Sequence, residues 1–345
     1  MRTRTLLRLS IALFAVAAIA AAAVALTFGV ETYRRPLPLP HSPYEFEVPA
    51  GATLARVAHA LGTEGVLARP AALVWLARWR GVDRGIKAGS YEIEQGITLP
   101  QLLAKLTQGD VTQIAVTIVD GITFAQLRDD LHAVPRIAHA LDGMSDADLL
   151  ARIGAAEPSP EGLFFPDTYF MPAGSSDIAL LERAHRALQR RLDAAWSERA
   201  PGLPFATPYD ALILASIVEK ESGRRADLPL IASVFVNRLR HGMRLQTDPS
   251  VIYGLGAGFD GNLKKRDLET DGPYNTYTRD GLPPTPIALA SQASIDAVLD
   301  PPQTPYLYFV ARGDGSSEFS ETLIMHNRAV SKYQKLRRQG LRTQR

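Results

Sequence analysis

The chain has 345 residues, 46% of them hydrophobic and 21% charged, enough for about two domains and neither disordered nor low-complexity in composition. It contains no cysteine, which excludes disulfides, thiolate metal sites, iron–sulfur clusters and a cysteine nucleophile. Ten of the 38 basic residues fall in residues 1–30 and 328–345, which hold no acid. The remaining 28 face 36 acids, so the body carries −8 and argues against nucleic acid as the main partner.

From Leu9 to Val30 no residue is charged. About 20 apolar residues span a bilayer as a helix, whereas a signal-peptide core runs roughly 7–15. Arg2, Arg4 and Arg8 precede the run, so positive-inside bias puts residues 1–8 in the cytoplasm and everything after Val30 on the far side. The competing reading is a cleaved signal peptide, for which Ala20–Ala23 offers small residues. Residues 31–43 then form a linker whose alternating prolines (Pro36, Pro38, Pro40, Pro43) make an extended, semi-rigid spacer.

A short unit recurs three times. Gly51-Ala52-Thr53-Leu54 follows the alternating Tyr44–Val48, Gly96-Ile97-Thr98-Leu99 follows Tyr91–Glu94, and Gly121-Ile122-Thr123-Phe124 follows the apolar Ile114–Val119. Each reads as a strand, a glycine turn and a threonine N-cap, and Gln101 and Gln126 complete capping boxes in two copies. Helical spacing turns Leu54, Val57, Ala58 and Leu61 inward, and likewise Leu99, Leu102, Leu103 and Leu106. Val66–Trp79 reads as an amphipathic helix with Leu73, Leu76 and Ala77 inward. The strand–Gly-x-Thr–helix signature resembles the LysM module, a binder of N-acetylglucosamine polymers. Residues 44–110 are therefore expected to be a small LysM-like α+β domain and residues 111–345 a larger α+β domain. Within the latter, Glu161–Tyr169 reads as a loop with an aromatic wall and Ile178–Trp196 as a long helix.

Ala211–Val218 is apolar on every side and ends in Glu219-Lys220-Glu221-Ser222-Gly223, with Asp210 available to cap its start and Gly223 to close it. At 100° per residue Glu219 and Glu221 diverge by about 200° and cannot share one pocket. Glu221 is the carboxylate backed by Leu214, Ile217 and Val218, and such desolvation raises a carboxyl pKa toward neutrality, as a general acid requires. The plain alternative is a solvated helix end with both acids paired to Lys220, Arg224 or Arg225. Downstream, Met243–Ser250 reads as a polar loop opening a helix at Ser250 that carries Tyr253, and Glu269–Tyr277 as a second loop rich in aromatics and amides. Rings beside amide and hydroxyl groups suit a neutral polyhydroxylated ligand. The scattered histidines and absence of a P-loop lysine imply neither a metal nor a cofactor. Arg328–Arg345 reads as a docked basic surface helix, with Val330, Tyr333 and Leu336 on one side.

The segments Ala215-Ser-Ile-Val-Glu-Lys-Glu-Ser222, Ala232-Ser-Val-Phe-Val-Asn-Arg-Leu239, Gly242-Met-Arg-Leu-Gln-Thr-Asp-Pro249, Tyr274-Asn-Thr-Tyr277, Gly281-Leu-Pro-Pro284 and Pro305-Tyr-Leu-Tyr-Phe-Val310 together resemble the endolytic murein transglycosylases, the MltG (YceG-like) family. The resemblance implies a single-pass protein of the bacterial inner membrane with a periplasmic body. It also implies lytic cleavage of the β-1,4 bond between N-acetylmuramic acid and N-acetylglucosamine in peptidoglycan strands, giving 1,6-anhydro ends, and cell-wall synthases as partners. The family's catalytic glutamate falls on Glu221. Gln246, Thr247, Asp248, Tyr253, Tyr274, Asn275, Thr276 and Tyr277 are expected to hold the glycan, with Asp248 the candidate second carboxylate if the enzyme were instead a hydrolytic muramidase. A non-catalytic glycan-binding scaffold is the third reading.

Overall fold

The computed structural model describes residues 30–49, 51–221 and 223–343. The run read as a membrane span lies outside them except for Val30, and no helix among the described residues is long and apolar enough to cross a membrane. The chain is α+β and divides into two units, one reaching Ile114 and including Phe170–Ser175, the other Ala115–Tyr169 with Ser176 onward.

The first unit begins with strand β1 (Tyr44–Val48), followed by helices α1 (Leu54–Thr63) and α2 (Pro70–Trp79), strand β2 (Gly89–Ile93) and helix α3 (Leu99–Gln108). The strands pair antiparallel, with Tyr44 opposite Ile93 and Val48 opposite Gly89. The core is the one that helical spacing selects: Leu54, Val57, Ala58 and Leu61 of α1, Leu73, Leu76 and Ala77 of α2, and Leu99, Leu102, Leu103 and Leu106 of α3 close over Tyr91 and Ile93. The expected helix from Val66 starts only at Pro70. Proline lacks the N–H that a helix interior needs and is at home in the first turn, so buried Val66 and Leu67 precede the helix instead. In the capping box of α3 the Thr98 N–H donates to Gln101 Oε1 at 2.9 Å.

The third copy of the strand–turn–helix unit is β3 (Gln113–Thr117) and α4 (Phe124–His132). In its capping box Gln126 N–H donates to Thr123 Oγ1 at 3.2 Å and Thr123 N–H to Gln126 Oε1 at 2.9 Å. Helix α5 (Asp146–Ile153) follows, then β4 (Thr168–Pro172), which pairs with β3, and the long α6 (Asp177–Ser197). The expected aromatic wall is not a wall: Leu163, Phe164 and Phe165 are buried. Next come α7 (Pro208–Glu221), α8 (Leu228–Arg240), α9 (Asp248–Leu255), the short α10 (Lys265–Glu269) and α11 (Gln292–Leu299). The chain closes with the antiparallel hairpin of β5 (Tyr308–Ala311) and β6 (Ser317–Ser320), covered by α12 (Leu323–Thr343). Ala329 of α12 is buried and Val330 and Tyr333 half-buried against it.

Helix α7 is the axis of the second unit. Ala211 through Val218 are all buried, and the helix packs on α6, α8, α9 and α11. Its cap lies three residues before the expected Asp210: Asp210 N–H donates to Thr207 Oγ1 at 3.2 Å, while the Asp210 carboxylate accepts from Ala206 and Thr207 N–H, both at 2.9 Å. Thr207 is therefore the cap and Asp210 its reciprocal partner. Helix α9 likewise starts at Asp248 rather than Ser250, because Pro249 fits its first turn.

Gly162 has φ +78°, and a Cβ there would lie 2.4 Å from Pro286 Cβ. Gly162→Ala is expected to cost about 2–5 kcal/mol in urea unfolding, from left-handed strain plus overpacking. Gly143→Ala, with φ +74° and open space around it, should cost only about 1–2 kcal/mol.

Candidate active site

The two carboxylates ending α7 part as their spacing requires. Glu219 Oε2 accepts from Ser291 N–H at 2.9 Å, Ser291 Oγ at 2.5 Å and Ser294 Oγ at 2.6 Å, so it holds the N-terminal turn of α11, where a negative charge is also favoured by the helix dipole. Glu221 turns elsewhere and accepts from Thr247 Oγ1 at 2.5 Å. The bases that could have paired with a solvated helix end are used differently: Lys220 Nζ donates to Gly121 O at 2.9 Å and Arg225 pairs with Asp120 at 2.9 Å. Burial at the end of an apolar helix pushes the Glu221 carboxyl up to about 7, and the Asp248 charge adds to the rise. The Thr247 hydroxyl and, more weakly, the Arg238 guanidinium oppose it.

Thr247 is fixed by a knot of hydroxyls. Its N–H donates to Thr276 Oγ1 at 3.0 Å; Ser250 Oγ donates to Thr247 O at 3.0 Å and lies 3.0 Å from Thr276 Oγ1. Gln246, in the left-handed region at φ +51°, donates its N–H to Thr276 O at 3.1 Å and leaves its side chain exposed. Asp248 is exposed and its Oδ1 accepts the Tyr277 hydroxyl at 2.5 Å. Arg238 lies buried beneath, donating to Leu307 O at 2.7 Å and Leu245 O at 2.6 Å, with Tyr308 beside its guanidinium. Thr247, Asp248, Thr276 and Tyr277 thus gather around Glu221, and Gln246 sits next to them in sequence.

Tyr253 and Tyr274 pair with each other, ring centroids 4.9 Å apart and edge to face, with Tyr274 Oη 2.8 Å from Thr285 Oγ1. Gly254 permits the pairing, since a Cβ there would come within 3.0 Å of Tyr274 Cβ. Asn275 is a scaffold residue. Its Nδ2 serves the carbonyls of Asp267, Leu268 and Thr270 at 3.1, 3.1 and 2.6 Å, and its Oδ1 accepts from Tyr277 N–H at 2.9 Å, so its amide is spent inside the loop.

Glu161 escaped the sequence reading. It is 4% exposed and accepts from Phe124 N–H at 3.0 Å and the Tyr253 hydroxyl at 3.1 Å; burial raises its carboxyl to about 7 against those hydrogen bonds. The available signal was a lone acid opening the apolar run Gly162–Phe165. Among the described residues, no cluster of three or more His, Asp or Glu could hold a metal ion.

The two acids of α7 should respond oppositely to substitution. Glu219→Ala strands three donors and is expected to cost about 3 kcal/mol in urea unfolding. Glu221 binds its proton more tightly folded than unfolded, so its favourable contribution is complete below about pH 4.5 and is lost as pH rises through about 7. Glu221→Gln should therefore match the wild type near pH 4.5 and exceed it by about 1–3 kcal/mol at pH 8.

Known proteins are similar to this chain over most of its length. A crystal structure of a yceG-like protein from Listeria monocytogenes superposes with a TM-score of 0.52 at 28% identity, covering 83% of this chain and 98% of that one. The endolytic murein transglycosylase of Bacillus subtilis is 32% identical over 308 residues, 83% of either chain. That of Streptococcus pneumoniae strain D39 is 25% identical over 320 residues, and the match spans 57% of its length. The YceG-like family matches residues 46–332, from β1 into the covering helix α12 and across both acids of α7. At that extent, and with a relative of this identity, the chain belongs to the YceG-like family.

Proposed function

We propose that the chain is an endolytic murein transglycosylase, anchored in the bacterial inner membrane by residues 9–30 with its body in the periplasm. The observation that carries this reading is the placement of Glu221: its carboxyl ends the buried apolar run Ala211–Val218, accepts from Thr247 Oγ1 at 2.5 Å, and is pushed up to about 7 by burial. The names of the Bacillus and pneumococcal relatives support the reaction class. The strand–helix–helix–strand order of the first unit supports a LysM-like glycan binder, and synthases that polymerise glycan are the partners the reading implies.

Protonated Glu221 donates to the glycosidic oxygen as the C1–O4 bond breaks. The carboxylate so formed takes the proton of the muramyl C6 hydroxyl, whose oxygen bonds to C1. Atoms balance without water, and the acid returns protonated. One carboxyl serves both steps because the nucleophile belongs to the substrate; a hydrolase would need a second on the other side of the bond. Gln246, Asp248, Tyr253, Tyr274 and Tyr277 are assigned to the glycan-binding wall, while buried Thr276, like Thr247, shapes it from beneath. Asp248, exposed and electrostatically coupled to Glu221, favours the muramidase alternative, and product mass decides: hydrolysis adds one water per cut and the lytic reaction adds none.

Glu221→Gln should fold and bind strands yet lower release of anhydro-ended fragments by about 10²–10⁴-fold, read by mass spectrometry; unchanged release would sink the assignment. Because the free enzyme must hold the proton, kcat/KM is expected to fall about tenfold per pH unit above about 7. Thr247→Val removes a donor that favours the carboxylate, so this alkaline limb should move to higher pH.

A further inference from the structure

Helix α2 buries Leu73, Leu76 and Ala77 and turns two tryptophans outward, Trp75 at 69% exposure and Trp79 at 81%. They lie four residues apart and so share one face, with exposed Arg78 next to them. Two bare indoles on a helix of ten residues form an apolar patch that water does not favour.

The C-terminal end of this helix is tied to the start of the described chain. Arg80 Nη2 donates to Tyr33 Oη at 2.6 Å, and the guanidinium lies 5.8 Å from the Tyr33 ring centre. Tyr33 sits in the helical turn of residues 30–34, three residues past Val30, the last of the uncharged run. At helical rise that separation is about 5 Å. Trp79, Arg80 and Tyr33 therefore cluster within a few residues of the point where the chain leaves the run. Trp and Tyr rings settle at the headgroup level of a bilayer, and arginines near that surface are drawn to anionic lipid. Over residues 30–35 and 70–80 together, exposed Arg34, Arg35, Arg78 and Arg80 outnumber the one acid, Glu31. A glycan could also stack on tryptophan, but α2 (Pro-Ala-Ala-Leu-Val-Trp-Leu-Ala-Arg-Trp) has no carboxylate or amide to bind sugar hydroxyls.

We propose that the Trp75–Trp79 face of α2 docks into the headgroup layer of the anionic bilayer entered by residues 9–30, giving the first unit a second attachment beside the span. The proposal rests on the anchor reading of that run. The test uses the full chain in phosphatidylglycerol–phosphatidylethanolamine vesicles, with and without lipid brominated high on the acyl chains. Retention on the vesicles after alkaline carbonate reports the span, and quenching of tryptophan emission reports α2. Two of the chain's three tryptophans lie on this face, so up to about two thirds of the emission should be quenched by the brominated lipid. Trp75→Ala/Trp79→Ala should abolish that quenching while leaving vesicle retention and glycan cleavage unchanged. Retention without quenching overturns the proposal and leaves the anchor standing; release by carbonate removes both. An emission change with murein oligosaccharides but not with brominated lipid overturns it in favour of a sugar platform.

Discussion

Everything at the site depends on how α7 is buried. A helix apolar on all sides cannot present its flank to substrate, so it delivers chemistry only from its end. There the carboxyl of Glu221 follows the buried run Ala211–Val218 and accepts from the Thr247 hydroxyl. Desolvation wins over that hydrogen bond, and the balance has a large consequence. An ordinary carboxyl near 4.5 would be protonated in about one molecule in 300 at pH 7, whereas one near 7 is protonated in about half of them.

The same helix shows that proximity in sequence does not make an acid pair. Glu219, two residues earlier, spends its carboxylate on three donors at the start of α11 and so fixes the helix that packs along α7. Glu161 plays a comparable part on the other flank. Its carboxyl takes up one of the unpaired N–H groups at the start of α4 and receives the phenol of Tyr253, which in turn packs on Tyr274. A buried carboxyl costs free energy. Here the cost is offset by the donors the carboxyl accepts from, Phe124 N–H and the Tyr253 hydroxyl.

What could be read from the sequence was what local periodicity and capping encode. The core leucines of α3, the capping boxes at Thr98 and Thr123, and the divergence of Glu219 from Glu221 all follow from the chain's own spacing. Boundaries failed where a side chain reached backward. Asp210 resembles a cap by composition, but its carboxylate folds back onto the N–H groups of Ala206 and Thr207, moving the cap to Thr207 and the helix start to Pro208. Roles failed where partners are distant in sequence. Glu161 meets Phe124 across 37 residues and Tyr253 across 92, and no local pattern marks either contact. Asn275 looked like a sugar ligand because amides bind sugars, yet three backbone carbonyls of its own loop claim its Nδ2.

Arg238 completes the electrostatics. Its guanidinium is held by the carbonyls of Leu245 and Leu307, the segments before α9 and at β5, so it cannot swing out to form an ion pair with Glu221. A direct pair would pull the carboxyl down into its ordinary range and remove the acid. A positive charge fixed at a remove instead lowers it slightly, against burial and the Asp248 charge. For the acid-then-base role proposed for Glu221 a pKa near 7 serves best, since a stronger acid would be a poorer base. The fixed guanidinium, the Thr247 hydroxyl and the apolar end of α7 together hold Glu221 there.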